Sequence, residues 1–356
     1  MSTTATNPVL DLRVGDLVEV RSEEEILRTL DAEGTLDSLP FMPEMLQFCG
    51  KRFRVMKRAE KVCDSIDWGK AQRRMRNAVH LEELRCNGAA HGGCKAGCLI
   101  HWKEAWLKRV DDRSNGSMLV EGAQSARAPE VEGNAACCTR ETLMQATRRE
   151  NNPDGEEVFS CQATEMHRAT SPLPWWKLGQ YARDVRSGNA SVGRVTRSLL
   201  IALFNKFQKA NAILAPRLTL IHEAKTYPFL DPKLRGETPP APRLNLQPGD
   251  LVEVKSKEEI FETLNEHDKT NGLRFDTELL KYCGRRGRVS YLVDRIINEK
   301  TGTMLPIKKD SVIIEGFYCT GDYHRVCPRG VYSWWRESWL RKVESAGEAG
   351  SPERPV

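Results

Sequence analysis

Cysteine and histidine recur with the same spacing at two places in this 356-residue sequence. Each place has a cysteine, a histidine five residues later and a second cysteine three residues after that, and a further cysteine lies upstream. Three thiolates and one imidazole fill the tetrahedral coordination of Zn²⁺ without an open position, which is typical of a structural site. The sequence therefore predicts two structural zinc sites, with the ligand sets Cys49, Cys86, His91, Cys94 and Cys283, Cys319, His324, Cys327.

An alternative leaves these cysteines without a metal. Free cysteine is among the most buried residue types and packs as a small hydrophobic side chain. Cys49 and Cys283 suit this alternative best, because each ends a helix-like segment immediately before a glycine. The occurrence of the same four candidate ligands at both places favours metal ligation over packing alone.

The first place carries more candidate ligands than the second, which has apolar residues such as Ile313 opposite His80 and residues near Ile297 opposite Cys63. The region that follows adds further thiols and His167. Such a group could hold an iron-sulfur cluster, which needs about four thiolates, or another transition metal. The candidate ligands of this additional cofactor site are Cys63, His80, Cys98, His101, Cys138 and Cys161.

Other partitions of these ligands stay open. Cys63, Cys86, Cys94 and Cys98 could themselves form one set of four thiolates, with His91 outside it. Adjacent cysteines such as Cys137 and Cys138 rarely bind one metal together, and a histidine in an apolar strand is more often a hydrogen-bonded core residue.

These spacings belong to a longer internal repeat. Residues 14–22, VGDLVEVRS, are echoed by residues 248–256, PGDLVEVKS. The similarity continues to the tryptophan near the end of each copy, so that one module at residues 12–112 recurs at residues 246–345. Stretches rich in Ser, Gly and Pro separate the two modules from an insertion at residues 134–226.

The repeat predicts short strands with few helices. Leu17–Val20 alternates as a strand should, and Ser22 with Glu25 has the spacing of a capping box ahead of a short helix. Further strands are expected at residues 53–56, 78–81 and 102–110 and at their counterparts. Five or so short strands with long turns predict a small barrel in each module. The insertion has helical patterns instead, at residues 141–149, 175–185 and 191–214, the last with an apolar stripe that includes Leu203 and Phe207.

The front of each module resembles a known family. The strand sequence Gly-Asp-Leu-Val-Glu-Val, followed after an insertion by Leu39-Pro40-Phe41 and then by the strand that begins after Cys49-Gly50, is similar to the SH3-like barrel of the nitrile hydratase β-subunit group. The resemblance implies an α+β chain of two SH3-like barrels that flank a helical insertion. In that family the barrel belongs to a structural subunit and does not supply the metal ligands. Fold similarity alone does not transfer an activity.

Composition favours a globular chain and limits the partners. Apolar residues make up 40% and charged residues 29% of the sequence, a balance typical of folded proteins. Its net charge of +5 is spread among acidic residues and does not require nucleic acid as a partner. We find no secretory signal pattern and no apolar stretch long enough to cross a membrane, so a cytoplasmic location is expected, where a reducing environment disfavours disulfides.

Three functions are compatible with these patterns. The leading hypothesis is a metal-binding accessory or interaction subunit, in which zinc stabilises the modules and the insertion presents a surface to a protein partner. A metal-dependent enzyme with a redox or Lewis-acid site is the second. Nucleic-acid binding is the third, because tryptophans alternate with Lys and Arg near the end of each module and could stack on bases, although period-two alternation also explains them.

Overall fold

The computed structural model describes residues 9–64, 66, 72–110, 138–214, 225–237 and 243–343. It divides into two compact units. The first comprises Met1–Arg197, Ile297–Leu305 and His324–Gly330, and the second comprises Ser198–Ile296, Pro306–Tyr323 and Val331–Val356. Cys137 of the sequence analysis lies outside the described residues.

The elements up to residue 214 are short strands, helices of three to eight residues and one long helix. In chain order they are β1 (Leu17–Val20), α1 (Glu23–Leu27), β2 (Thr35–Leu36), β3 (Leu39–Pro40), a 3-10 helix (Pro43–Phe48), β4 (Arg52–Arg58), β5 (Lys61–Val62), β6 (Gln72–Arg74), β7 (Ala78–Leu81), β8 (Trp102–Lys103), a 3-10 helix (Glu104–Trp106), β9 (Leu107–Arg109), α2 (Arg140–Gln145), β10 (Arg148–Arg149), β11 (Val158–Phe159), β12 (Ser171–Leu173), α3 (Gly179–Arg186) and α4 (Val192–Leu214).

The elements after residue 243 repeat the order found at the start of the chain. They are β13 (Leu251–Val254), α5 (Lys257–Phe261), β14 (Lys269–Thr270), β15 (Leu273–Arg274), a 3-10 helix (Thr277–Tyr282), β16 (Arg286–Leu292), β17 (Arg295–Ile297), β18 (Met304–Pro306), β19 (Ser311–Tyr318), β20 (Tyr332–Arg336), a 3-10 helix (Glu337–Trp339) and β21 (Leu340–Lys342).

Two five-stranded antiparallel sheets have the same strand order. The first runs β8-β7-β4-β1-β9 and the second β20-β19-β16-β13-β21. Their registers also correspond, since Val18 lies opposite Arg109 and Val252 opposite Lys342. The chain is therefore an α+β protein built largely on antiparallel strands, and the sequence repeat is also a repeat of topology.

Local sequence explains how each sheet begins. Val18 and Val20 of β1 are buried while Leu17 and Glu19 are partly exposed, as a strand with one buried face requires. The Ser22 hydroxyl accepts a hydrogen bond from the Glu25 backbone N–H, and the Glu25 side chain accepts one from the Ser22 N–H. Ser256 and Glu259 form the same capping box ahead of α5. The predicted capping boxes are confirmed.

Aromatic side chains fill the core of both sheets. Phe41 packs edge to face on Trp106 with ring centroids 5.1 Å apart, and Phe275 packs on Trp339 at 5.2 Å. Both tryptophans are fully buried. Trp102 and Trp335 are equally buried, so these four rings offer no surface on which a base could stack.

A buried glutamate holds the start of each module. Glu104 accepts hydrogen bonds from the backbone N–H groups of Leu10 and Leu12, at 2.8 and 3.2 Å. Glu337 accepts the equivalent pair from Leu244 and Leu246, at 2.7 and 3.0 Å. Each glutamate opens a 3-10 helix, which explains why the long final strand expected from the sequence is interrupted there.

The helices of the insertion are shorter than the sequence pattern suggested, except for α4. In α4, Val195 is buried, but Leu203 and Phe207 of the predicted apolar stripe are more than half exposed. Leu200 is also exposed. Among the described residues, no helix has the length and apolar character needed to span a membrane.

Candidate metal centre

Three potential metal ligands meet in the first unit. The ligand atoms of Glu44, Cys86 and His91 all lie within 4.8 Å of one another. Glu44 Oε1 is 2.7 Å from His91 Nδ1 and 3.9 Å from Cys86 Sγ. The side chains of His91 and Glu44 are only 1% and 2% exposed, so water contributes little to their solvation.

Two local structures position these ligands. Glu44 lies in the 3-10 helix Pro43–Phe48. This helix begins with a proline, which has no backbone N–H that would need a hydrogen-bond acceptor. Cys86 and His91 lie in the loop that follows β7, where Gly88 has a φ of +71°. A Cβ at Gly88 would lie 2.2 Å from the carbonyl oxygen of Cys94, so the loop can close this tightly only with glycine. The Ala90 N–H donates to Glu44 Oε1 at 3.0 Å and fixes the loop against the helix.

The hydrogen bonds of His91 define which nitrogen is available. Its Nε2 lies 3.0 Å from the carbonyl oxygen of Ser160, which can only accept, so Nε2 carries the proton. In the neutral ring Nδ1 is then an acceptor that faces another acceptor, Glu44 Oε1, at 2.7 Å. A shared proton or a metal ion must lie between them. An N–H bonded to a backbone carbonyl is also the usual outer contact of a metal-bound histidine.

The pKa values of the Glu44 carboxyl and the Cys86 thiol are shifted in opposite directions. Burial alone would raise the pKa of the Glu44 carboxyl, but the hydrogen bond and charge of His91 hold it below its ordinary value. Glu44 Oε2 is buried and has no hydrogen-bond partner among the described residues. Burial and the neighbouring Glu44 raise the pKa of the Cys86 thiol. Metal binding there would have to displace the thiol proton.

The second module has the same residue types at corresponding positions. In the sequence, Glu278, Cys319 and His324 are the counterparts of Glu44, Cys86 and His91. Glu278 accepts a hydrogen bond from the Tyr323 N–H at 2.7 Å, the counterpart of the bond from Ala90 to Glu44. The group of Glu44, Cys86 and His91 could hold a metal ion, and its geometry does not identify which one.

The remaining predicted zinc ligands lie outside these two groups. Cys49 and Cys283 are half-buried at the ends of their 3-10 helices, and burial raises the pKa of each thiol to about 11. Cys94 Sγ accepts a hydrogen bond from the Ile297 N–H at 3.4 Å, and Cys327 Sγ accepts one from the Cys63 N–H at 3.2 Å. The complete sets of three cysteines and one histidine stay a prediction.

The residues predicted for the additional cofactor site have different neighbours in the structure. His80 and His101 are fully buried with ring centroids 4.4 Å apart, and the Nε2 atoms of both have no hydrogen-bond partner among the described residues. His80 Nδ1 bonds to the Ile100 carbonyl oxygen at 2.9 Å. Burial lowers the pKa of His80 to about 4 and that of His101 well below its ordinary value.

The thiols predicted for that additional site have different surroundings. Burial raises the pKa of Cys98 to about 12 and that of Cys161 to about 11. Cys138 is buried in the core of the first sheet. The buried guanidinium of Arg329 bonds to Glu299 at 2.8 Å, and its Nη1 lies 3.5 Å from the carbonyl oxygen of Cys63.

Glu44 and Glu278 are the candidate ligands that sequence reasoning missed. Both occupy the second position of a 3-10 helix, 234 residues apart, as are Cys49 and Cys283. Comparing acidic residues between the copies, as well as cysteines and histidines, would have found them. No family model, curated protein or solved structure matches the chain.

Proposed function

We propose that the chain is a zinc-binding protein in which Glu44, Cys86 and His91 hold a structural metal ion. The observation that carries the proposal is the group of three potential ligand atoms within 4.8 Å of one another, in which His91 Nδ1 lies 2.7 Å from Glu44 Oε1. Zinc accepts carboxylate, thiolate and imidazole ligands together. An iron-sulfur cluster needs about four thiolates, and this group supplies one.

The surrounding geometry requires a small adjustment to hold zinc. Bonds of about 2.0 Å to nitrogen and oxygen in a tetrahedral site place those two atoms about 3.3 Å apart. Nδ1 and Oε1 would therefore separate slightly. Glu44 Oε2, which has no hydrogen-bond partner in the described part of the chain, or a water molecule could then fill the fourth position.

The proposed role of the metal is to fix a loop. Cys86 and His91 belong to the loop after β7, Glu44 belongs to a 3-10 helix, and Ser160 of the insertion bonds to His91. One ion would therefore connect the 3-10 helix to the loop directly, and the insertion would be joined to them through the hydrogen bond of His91. The repeat extends the proposal to Glu278, Cys319 and His324 in the second module.

We further propose the architecture and setting in which these centres act. Each five-stranded sheet would be an SH3-like barrel, with modules at residues 12–112 and 246–345 and an insertion at residues 134–226. The shared strand order supports this division. The ten cysteines among the described residues lie outside disulfides, which supports a reducing, cytoplasmic setting. Exposed Leu200, Leu203 and Phe207 on α4 support a role as an interaction subunit.

Metal analysis of single variants tests the proposal. The purified full chain should contain about two zinc ions. Glu44→Gln and Cys86→Ser should each lose about one of them, and chelation should lower the melting temperature, because structural metal binding is coupled to folding. Circular dichroism of each variant checks that its fold is retained.

Cys49→Ser is the matched control. Cys49 lies five residues after Glu44 at the end of the same 3-10 helix, but outside the group of three ligands. It should keep its metal if Glu44 is a ligand. A loss in Cys49→Ser with none in Glu44→Gln would favour the set of three cysteines and one histidine instead. Full zinc content in both Glu44→Gln and Cys86→Ser would refute the proposed centre.

A further inference from the structure

A second pair of thiols lies close together in the first unit. Cys63 follows β5 and Cys327 lies 264 residues later, yet the Cys63 N–H donates to Cys327 Sγ at 3.2 Å. Neither cysteine is in a disulfide. Cys63 is half-buried and Cys327 is buried, so a small solute can reach the first thiol more easily than the second.

The internal repeat shows which part of this contact both modules share and which part occurs only in the first module. The position equivalent to Cys63 is Ile297, and the Ile297 N–H donates to Cys94 Sγ at 3.4 Å. The backbone bond to a cysteine sulfur therefore exists in both copies. Only the first copy adds a thiol on the donor residue, where the second has an isoleucine, so the second thiol is not needed for that bond.

A buried cation accompanies the same pair. Arg329 is 6% exposed and its Nη1 lies 3.5 Å from the carbonyl oxygen of Cys63. The equivalent residue next to Cys94 is Ala96. Cys63 and Arg329 therefore occur together at one of the two equivalent places, and the other place has neither a thiol nor a guanidinium at these positions.

These neighbours change the chemistry of Cys63. A hydrogen bond from the Cys327 thiol, together with the positive charge of Arg329, lowers the pKa of Cys63 to about 6 although burial opposes this. Burial instead raises the pKa of Cys161 to about 11. Cys63 is also the more exposed thiol of the pair, so an oxidant reaches it before Cys327.

We propose that Cys63 and Cys327 form a dithiol that reacts with hydroperoxides. The Cys63 thiolate attacks the terminal oxygen of the hydroperoxide, the O–O bond breaks, and the departing oxygen takes a proton and leaves as an alcohol or water. Cys63 is then a sulfenic acid. The Cys327 sulfur attacks the Cys63 sulfur, the S–O bond breaks, and water leaves as the disulfide forms. Two thiols are oxidised and one peroxide is reduced by two electrons.

Peptide mapping of the full-length chain tests this reaction. The reduced protein is exposed to equimolar hydrogen peroxide, alkylated with iodoacetamide and digested without reductant. Mass spectrometry should find the peptide of Cys63 linked to that of Cys327, two hydrogens lighter than the sum of the reduced peptides, and dithiothreitol should release them.

Two variants provide the controls. Cys327→Ser should leave Cys63 as a sulfenic acid that dimedone captures, while Cys283→Ser should form the same cross-link as the unaltered chain. The map of the unaltered chain decides the question even if Cys327→Ser does not fold. Recovery of both Cys63 and Cys327 as alkylated thiols after peroxide treatment would overturn the proposal.

Discussion

The two five-stranded sheets share their strand order and their aromatic core but differ in the polarity of what they bury. His80 in β7 corresponds to Ile313 in β19, and both are completely buried. His101 corresponds to Trp334. The second sheet shows that an isoleucine suits this fold at the position of His80 and an indole at the position of His101. The two imidazoles of the first sheet are therefore not required by the topology.

Burying those imidazoles is unfavourable for stability. Each has an Nε2 atom without a hydrogen-bond partner in the described structure, and an unsatisfied buried polar atom costs roughly 1–3 kcal/mol. The same unit contains the two thiols of Cys63 and Cys327. The first unit thus concentrates the polar and reactive groups, whereas the second sheet is the simpler version of the same fold.

The largest expected effect tests what the sheets have in common. Trp106→Ala and Trp339→Ala should each lower the free energy of unfolding by about 3–5 kcal/mol, because each removes a fully buried ring from an equivalent position. Each also loses an indole hydrogen bond, to Thr29 and Thr263 respectively, at 3.1 Å. Urea unfolding followed by circular dichroism measures both. A full cost in one sheet and less than about 1 kcal/mol in the other would show that the two cores are not equivalent.

Sequence patterns predicted the repeated parts of this fold better than the unique parts. The strands Leu17–Val20 and Ala78–Leu81 are found where the sequence predicted them. The strands β5, β6 and β12 form a further sheet that the sequence did not predict. Each has only two or three residues, which is too short to show a periodic pattern. The same limit applies at the candidate metal centre. Cys86 and His91 stand out by local spacing, but Glu44 joins them through a contact between residues 42 positions apart.

The next prediction concerns the buried imidazoles and pH. Because burial lowers the pKa of His80 from 6.5 to about 4, the folded chain binds fewer protons than the unfolded chain between these values. Stability therefore falls as the pH decreases from about 6.5 to about 4, by at most about 3 kcal/mol for this residue. His80→Ile, which copies the second sheet, should reduce that acid sensitivity.

Thermal unfolding at several pH values between 4 and 7.5 provides the measurement for His80→Ile. His267→Gln removes an exposed imidazole and should keep the acid sensitivity of the unaltered chain. Equal pH dependence in His80→Ile and the unaltered chain would mean that His80 is not the group whose protonation opposes folding. His101, also buried, would then be the residue to replace next.

The smallest expected difference between the two sheets is in the stability that their buried glutamates contribute. Glu104 and Glu337 accept equivalent backbone hydrogen bonds, but Glu104 also forms an ion pair with the buried Arg58 at 3.1 Å. Glu104→Gln should therefore cost about 2 kcal/mol and Glu337→Gln about 1 kcal/mol, since bonds that involve a charge are stronger. Arg58 keeps a second partner, Glu60, at 2.8 Å, which limits the loss. Urea unfolding of the matched pair measures the difference, and a larger cost for Glu337→Gln would show that the ion pair adds no stability to the first sheet.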